Sequence, residues 1–189
     1  MTTTDDNRLQ TLWDGCLRND RKQQEMLYRM LAPKMLAVCM RYAKDKDEAQ
    51  DILQEGFIKM FKNMNNYRGE GSLEGWIRRI MVHSAISRYR KAKTMMLVDD
   101  FAEQNIPMGS NDNANGLEAQ DLMQMVEELP TTYRSVFNMY AIEGYSHQEI
   151  SGKLGMTELL SRTTLHRART ILKNKLNELA MRERHCLAG

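Results

Sequence analysis

Six positive charges gather between residues 78 and 93: Arg78, Arg79, Arg88, Arg90, Lys91 and Lys93, with no acid after Glu74. Such a run on one helix is the electrostatic footprint of a nucleic-acid surface. Just upstream, Asn65, Asn66, Tyr67 and Arg68 lead into Gly69-Glu70-Gly71, and Trp76 follows. Aromatic and arginine side chains beside a basic helix suit stacking on, or cradling, the bases of a single strand. Plain core packing accounts better for Trp76; Tyr67, on the loop, is the more open of the two.

A second basic surface lies near the C-terminus. At 100° per residue, Leu165, Ala168 and Leu172 form one stripe, and Thr163, His166, Arg167, Thr170 and Lys173 fall opposite, with Arg162 beside them. Cations mixed with hydrogen-bonding tips suit phosphates and the base edges of a major groove.

A third cluster is acidic: Asp45, Asp47, Glu48, Asp51 and Glu55, with Gln54 among them. Acids in a first helical turn are favoured by the helix dipole. Asp51 and Glu55, at i and i+4, also make a docking face for a basic protein surface, with Gln54 alongside. Paired carboxylates raise the question of acid–base catalysis or a metal. No His accompanies them and no second ligand cluster occurs, so neither an enzyme, a metal nor a cofactor is expected. His185-Cys186 is the sole thiol–imidazole neighbour pair and sits at the tail.

The elements that must position these groups are helical. Gly (11) and Pro (3) are scarce among 189 residues, and straight side chains that favour helices are plentiful. Met26, Leu27, Met30 and Leu31 begin a helical stripe, which Pro33 is expected to interrupt before Met35, Leu36, Cys39 and Met40 resume it. A helix is predicted over 47–64 and another over 73–93, the latter capped by Ser72 and burying Trp76, Ile77, Ile80, Met81, Ala85 and Ile86. Another should start around Pro130 and carry Val136, Phe137 and Tyr140. Ser146-His147-Gln148-Glu149 has the form of a capping box, and Gly155 stops the short helix behind it. A further helix over about 160–176 completes a helix-turn-helix.

Charge divides the chain in three. Residues 1–93 hold 18 Lys and Arg against 12 Asp and Glu; 94–128 hold none against 8; 129–189 hold 9 against 5. Two basic blocks separated by an acidic one imply two surfaces for a polyanion and a connector that avoids it. Within 94–116 there is no sustained period and little apolar bulk, the composition of a flexible linker. The expected fold is therefore all-α: a three-to-four-helix domain over 1–93, an acidic linker over 94–116 and a four-helix helix-turn-helix domain over 117–189. No apolar run approaches the ~20 residues of a membrane span. Met1 to Asp6 lacks the marks of an export signal, and three widely spaced cysteines read as thiols of a reducing cytosol.

Both halves resemble the sigma factors of bacterial RNA polymerase, of the small extracytoplasmic-function type. Residues 47–57, Asp-Glu-Ala-Gln-Asp-Ile-Leu-Gln-Glu-Gly-Phe, look like the family's segment that grips the polymerase clamp. Tyr67-Arg68-Gly69 through Trp76 to Arg90 looks like the segment that melts and reads the −10 element. Leu129-Pro130, Tyr133-Arg134, Val136-Phe137, Gly144 to Ile150 and Leu165 to Arg169 are similar to the domain that recognises the −35 element.

The resemblance implies core RNA polymerase and promoter DNA as partners, and an anti-sigma factor as off switch. It implies polymerase contact by Asp51, Gln54 and Glu55, and −10 contact by Asn65, Asn66, Tyr67, Arg68, Trp76, Arg78, Arg79, Arg88 and Arg90. Asn66 and Tyr67 would line the pocket for a flipped base. Contact with the −35 element would fall to Arg162, Thr163, His166, Arg167, Thr170 and Lys173. Residue patterns alone leave open a two-domain regulator whose N-terminal helices sense a ligand or partner.

One departure stands out. Where the family usually carries small residues, often Gly-Thr, this chain has Leu159-Leu160. Leucine cannot accept the orphan N–H bonds that a Thr there would take. Either Thr157 or Ser161 caps instead, or the helix starts earlier; weakened or retargeted −35 contact is the expectation.

Overall fold

The computed structural model describes residues 3–96 and 119–187. The chain divides into two compact units, Met1–Tyr89 and Arg90–Gly189. Among the described residues every regular element is helical and no helix is long and apolar enough to cross a membrane. The stretch read as an acidic linker lies outside the described residues, apart from 94–96, which close a helix.

The first unit is built from α1 (Thr3–Leu17), α2 (Arg21–Met40), α3 (Lys46–Lys62) and the greater part of α4 (Leu73–Met96), whose residues from Arg90 on belong to the second. The sequence reading did not anticipate α1. Its Leu9, Leu12, Trp13 and Cys16 are all buried, the i, i+3, i+4, i+7 stripe of a helix laid on a core. Asp20 caps α2 by accepting from the Lys22 and Gln23 amides.

Pro33 does not interrupt α2, contrary to expectation. It is exposed, so the Arg29 carbonyl deprived of its amide partner can be hydrated. Leu31 and Met35 are buried on either side. Their burial, at about 2 kcal/mol each, offsets the ~3 kcal/mol that an interior proline costs. Gly56 lets α3 approach α4: a Cβ there would lie 2.2 Å from the Met81 sulfur.

The second unit holds α5 (Ala119–Glu127), α6 (Thr131–Phe137), α7 (His147–Leu154) and α8 (Glu158–Leu187). Its centre is Val126, Leu129 and Ala168, with Tyr133, Phe137, Ile171 and Leu172 packed around them. After Phe137 the chain widens into a π-helical turn over Asn138–Ile142, where the Glu143 amide reaches back to the Asn138 carbonyl. The helix after the glycine turn is longer than expected at both ends, running from Glu158 rather than about 160 and on to Leu187.

Candidate nucleic-acid interface

At the start of α3, part of the acidic cluster is used in folding. Asp45 accepts from the Glu48 amide at 2.8 Å, and the Glu48 carboxylate accepts from the Lys44 amide at 2.7 Å. Asp45 thus caps the helix, and the Glu48 carboxylate reaches back past the cap to the amide of the residue before it. One turn on, Asp51 is exposed and meets the Arg88 guanidinium at 2.7 Å, while Glu48 lies 3.6 Å from the same arginine. Glu55 is bridged to Lys59 at 2.7 Å, and Gln54 is exposed between the two acids. Asp51, Gln54 and Glu55 thus share one face at the middle of α3, and the chain's own cations already offset part of their charge.

The loop between α3 and α4 is ordered by its own side chains. Asn65 and Asn66 sit exposed on a 3-10 turn, Met64–Asn66, and the Asn66 amide approaches the Asn63 side chain at 3.4 Å. Tyr67 does not hang free. Its hydroxyl donates to the Gly71 carbonyl at 2.8 Å, and its ring lies 5.7 Å from Trp13 and 5.5 Å from Trp76. Trp13 and Trp76 also meet edge to face at 5.7 Å; Trp76 packs on these rings but stays half-buried, as does Ile80, where the sequence pattern placed both inward. Arg68 is exposed.

Gly69 (φ 74°) and Gly71 (φ 84°) take left-handed angles that let the loop fold back on Tyr67. Beside it lies a pocket of about 220 Å³ lined by Leu9, Gln10, Tyr67, Gly71, Ser72 and Leu73. Ser72 then caps α4 by accepting from the Gly75 amide.

On α4 the cations are spread around the axis rather than lined up. Arg79 and Arg90, eleven residues apart, fall within ~20° of one another at 100° per residue, and both are exposed. Arg78 is half-buried and Arg88 is turned to the α3 acids.

In the second unit Ser146 accepts from the Glu149 amide and Glu149 accepts from the Ser146 amide at 2.8 Å, the capping box read from the sequence. Those bonds hold the Glu149 carboxyl below its ordinary pKa. Gly155 closes α7 at φ 62°, in the left-handed region, and three residues separate α7 from α8.

The open question of the α8 cap is settled: the Thr157 hydroxyl accepts from the Leu160 amide at 3.1 Å. Ser161 is fully buried and bonds the His147 ring at 2.9 Å, tying the two helices of the motif together. His147 in turn stacks on Tyr140 at 4.6 Å, and the Arg169 guanidinium covers the other ring at 5.6 Å. Burial first, then the nearby Arg162, pushes the His147 pKa below its ordinary 6.5.

The buried side of α8 is Ser161, Thr164, Leu165 and Ala168. Arg162, Thr163, His166, Arg167, Thr170 and Lys173 are all exposed. Arg162 is paired with Glu158 one turn earlier. Thr163 donates to the Leu160 carbonyl at 3.0 Å and Thr170 to the His166 carbonyl at 3.1 Å. Their hydroxyls are therefore left mainly as acceptors.

Comparison with known proteins matches residues 27–94 to the sigma-70 region 2 family and residues 119–172 to the sigma-70 region 4 family. Among curated relatives, the RNA polymerase sigma factor SigV of Bacillus subtilis is 27% identical over 137 residues, covering 72% of this chain and 81% of that one. The RNA polymerase sigma-H factor of Pseudomonas aeruginosa is 24% identical, covering 90% and 94%. The ECF RNA polymerase sigma-E factor of Escherichia coli is 25% identical, covering 92% and 96%.

The chain belongs to the extracytoplasmic-function sigma factors.

As a sigma factor it is a transcription initiation protein and not an enzyme. The region 2 match takes in the α3 acids, the loop and α4; the region 4 match takes in the helix-turn-helix and ends one residue before Lys173. Helix α1 lies outside both matches, yet Trp13 walls Tyr67 and Leu9 and Gln10 line the neighbouring pocket. These contributors were missed by the sequence reading; the signal was the leucine–tryptophan–cysteine stripe of residues 9–16. The π turn that presents Tyr140 to His147 gave no such signal.

Proposed function

We propose that this sigma factor docks on core RNA polymerase in the cytoplasm and directs it to promoters through two contacts. Residues 1–93 would grip the clamp with Asp51, Gln54 and Glu55 and engage the −10 element. Residues 117–189 would read the −35 element, and the acidic 94–116 segment would bridge them through the polymerase interior. The observation that carries the reading is the outer face of α8. It is a basic, hydrogen-bonding surface set opposite a buried stripe, on the second helix of a capped helix-turn-helix.

Around the loop and along α4, Arg68, Arg79, Arg90 and Lys91 are exposed cations suited to the phosphate backbone. Tyr67 is pinned by Gly71 and two tryptophans, so it would serve as a rigid wall for an unstacked base. Flipping a base costs a few kcal/mol, and a preformed wall lowers the further cost of ordering the protein. An anti-sigma factor would switch the protein off by covering one of these faces.

Run-off transcription with core polymerase on a library of promoter templates tests the proposal. Promoter-dependent product should appear only when the protein is added; its absence on every template would refute the reading.

A further inference from the structure

Leu159 is 72% exposed and Leu160 41%, on an α8 whose first turn is otherwise polar. Because Thr157 makes the cap, the two leucines are freed from that task and stand as ordinary helical residues in the first turn. Their direction follows from the buried stripe. Taking Ser161, Thr164, Leu165 and Ala168 as the inner face, Leu159 falls diametrically opposite, and Leu160 ~100° to one side. Leu159 is thus in line with His166 and Thr170, at i+7 and i+11, with Arg162 and Thr163 flanking it one turn on. This makes Leu159 an apolar spot set within a basic, hydrogen-bonding face, and a partner with apolar spots inside a polyanionic frame matches both features.

We infer that Leu159 is a specificity-determining residue that reads thymine C5-methyl groups in the major groove of the −35 element, with Leu160 supporting it at the edge. The inference rests on the region 4 assignment given above and says what that face selects. In a helix-turn-helix the N-terminal residues of the second helix approach the base edges most closely, and Leu159 is among the first of them.

The thymine methyl is the apolar mark on the major-groove edge, and apolar side chains are its readers. Thr163 and Thr170 strengthen the case. Their hydroxyl protons are committed to carbonyls of α8, so neither can donate to a purine N7 or O6 while so bonded. What remains for donation to bases is His166, Arg167 and Lys173, with Arg162 held by Glu158. The first turn therefore selects by shape and methyl contact, and the third and fifth by hydrogen-bond donation.

The test uses the full-length protein with core polymerase. Promoter duplexes randomised across the −35 region are selected, and each selected thymine is then replaced by deoxyuracil, which removes one methyl and nothing else. Loss of one methyl contact should weaken binding about four-fold at one or two adjacent thymines. Leu159→Ala, on a side chain outside the core, should bind thymine and uracil duplexes alike, at the level wild type shows for uracil. Indifference of the wild type to uracil at every position overturns the inference, as does a Leu159→Ala variant that still discriminates. Failure to select any promoter sequence would instead overturn the region 4 reading beneath it.

Discussion

Reversing the charges on the exposed face of α3 should abolish polymerase binding while leaving a folded protein, and the structure gives both magnitudes. In Asp51→Lys with Glu55→Lys, two intramolecular pairs are lost: Asp51–Arg88 at 2.7 Å and Glu55–Lys59 at 2.7 Å. The Asp51 and Arg88 side chains are 57% and 37% exposed, so that pair contributes only about 0.5 kcal/mol, and the i, i+4 pair about the same. Reversal sets lysine against Arg88 and Lys59, adding a repulsion of similar size.

The total, ~2 kcal/mol, is well inside the ~5–15 kcal/mol that holds a domain folded. Helicity should therefore persist, with melting lowered by about 10 °C. At the interface each acid facing a basic partner couples by about 1.5 kcal/mol or more, so losing two costs at least ~3 kcal/mol, over 100-fold in affinity. Titration of labelled core polymerase, with circular dichroism on the same samples, reads both quantities. Core affinity within about three-fold of wild type, in a variant shown to be folded, would refute the docking assignment. Asp51→Asn, which removes the Arg88 pair without reversal, should weaken core binding only about ten-fold, between wild type and the double reversal.

Gly155→Ala forces a Cβ into left-handed backbone where its surroundings are open, so strain alone applies; a loss of about 1–2 kcal/mol in chemical denaturation is expected, with no effect on the first unit's transition. Trp13→Ala removes a buried ring that walls both Tyr67 and Trp76, and should cost about 3–5 kcal/mol and expose Trp76 to fluorescence quenchers. Acidification should weaken the second unit. His147 and Glu149 both have folded pKa values held below their ordinary ones, so the unfolded chain takes up protons first as pH falls. The His147 contribution is whole above pH 6.5 and is lost below it, and that of Glu149 is lost further down, through the carboxylate range. Urea midpoints followed against pH should fall less steeply in His147→Gln across the first window and in Glu149→Gln across the second; parallel curves for all three proteins would contradict this.

Much of the helical order was legible because local rules coincide with the fold. The capping box at Ser146, the stop at Gly155 and the Ser72 cap each act within four residues, so the signal and its effect share one stretch of chain. Features that depend on distant neighbours were not legible in this way. Pro33 reads as a break unless one knows that its outer side faces water while Leu31 and Met35 are locked in a core. Arg88 reads as one more positive charge for DNA; only folding shows that it lies against acids 37 and 40 residues earlier. Tyr67 sits on a loop in sequence and in an aromatic cluster in space, because Trp13 arrives from a helix more than fifty residues upstream.

That difference between formal and available charge bears on how the two promoter contacts would behave. Counting residues assigns α4 six cations; geometry turns Arg88 to α3, half-buries Arg78 and leaves Arg79, Arg90 and Lys91 exposed, the first two together on one side. A phosphate contact made by two or three cations has a shallow salt dependence. Much of the first unit's grip would then have to come from the shape of the Tyr67 loop and its pocket. In the second unit Arg167 and Lys173 are exposed with no ion pair among the described residues, and about two turns before Arg167 stands an uncovered leucine. Salt should therefore weaken both contacts, and what survives high salt at the −35 element should be the preference carried by Leu159.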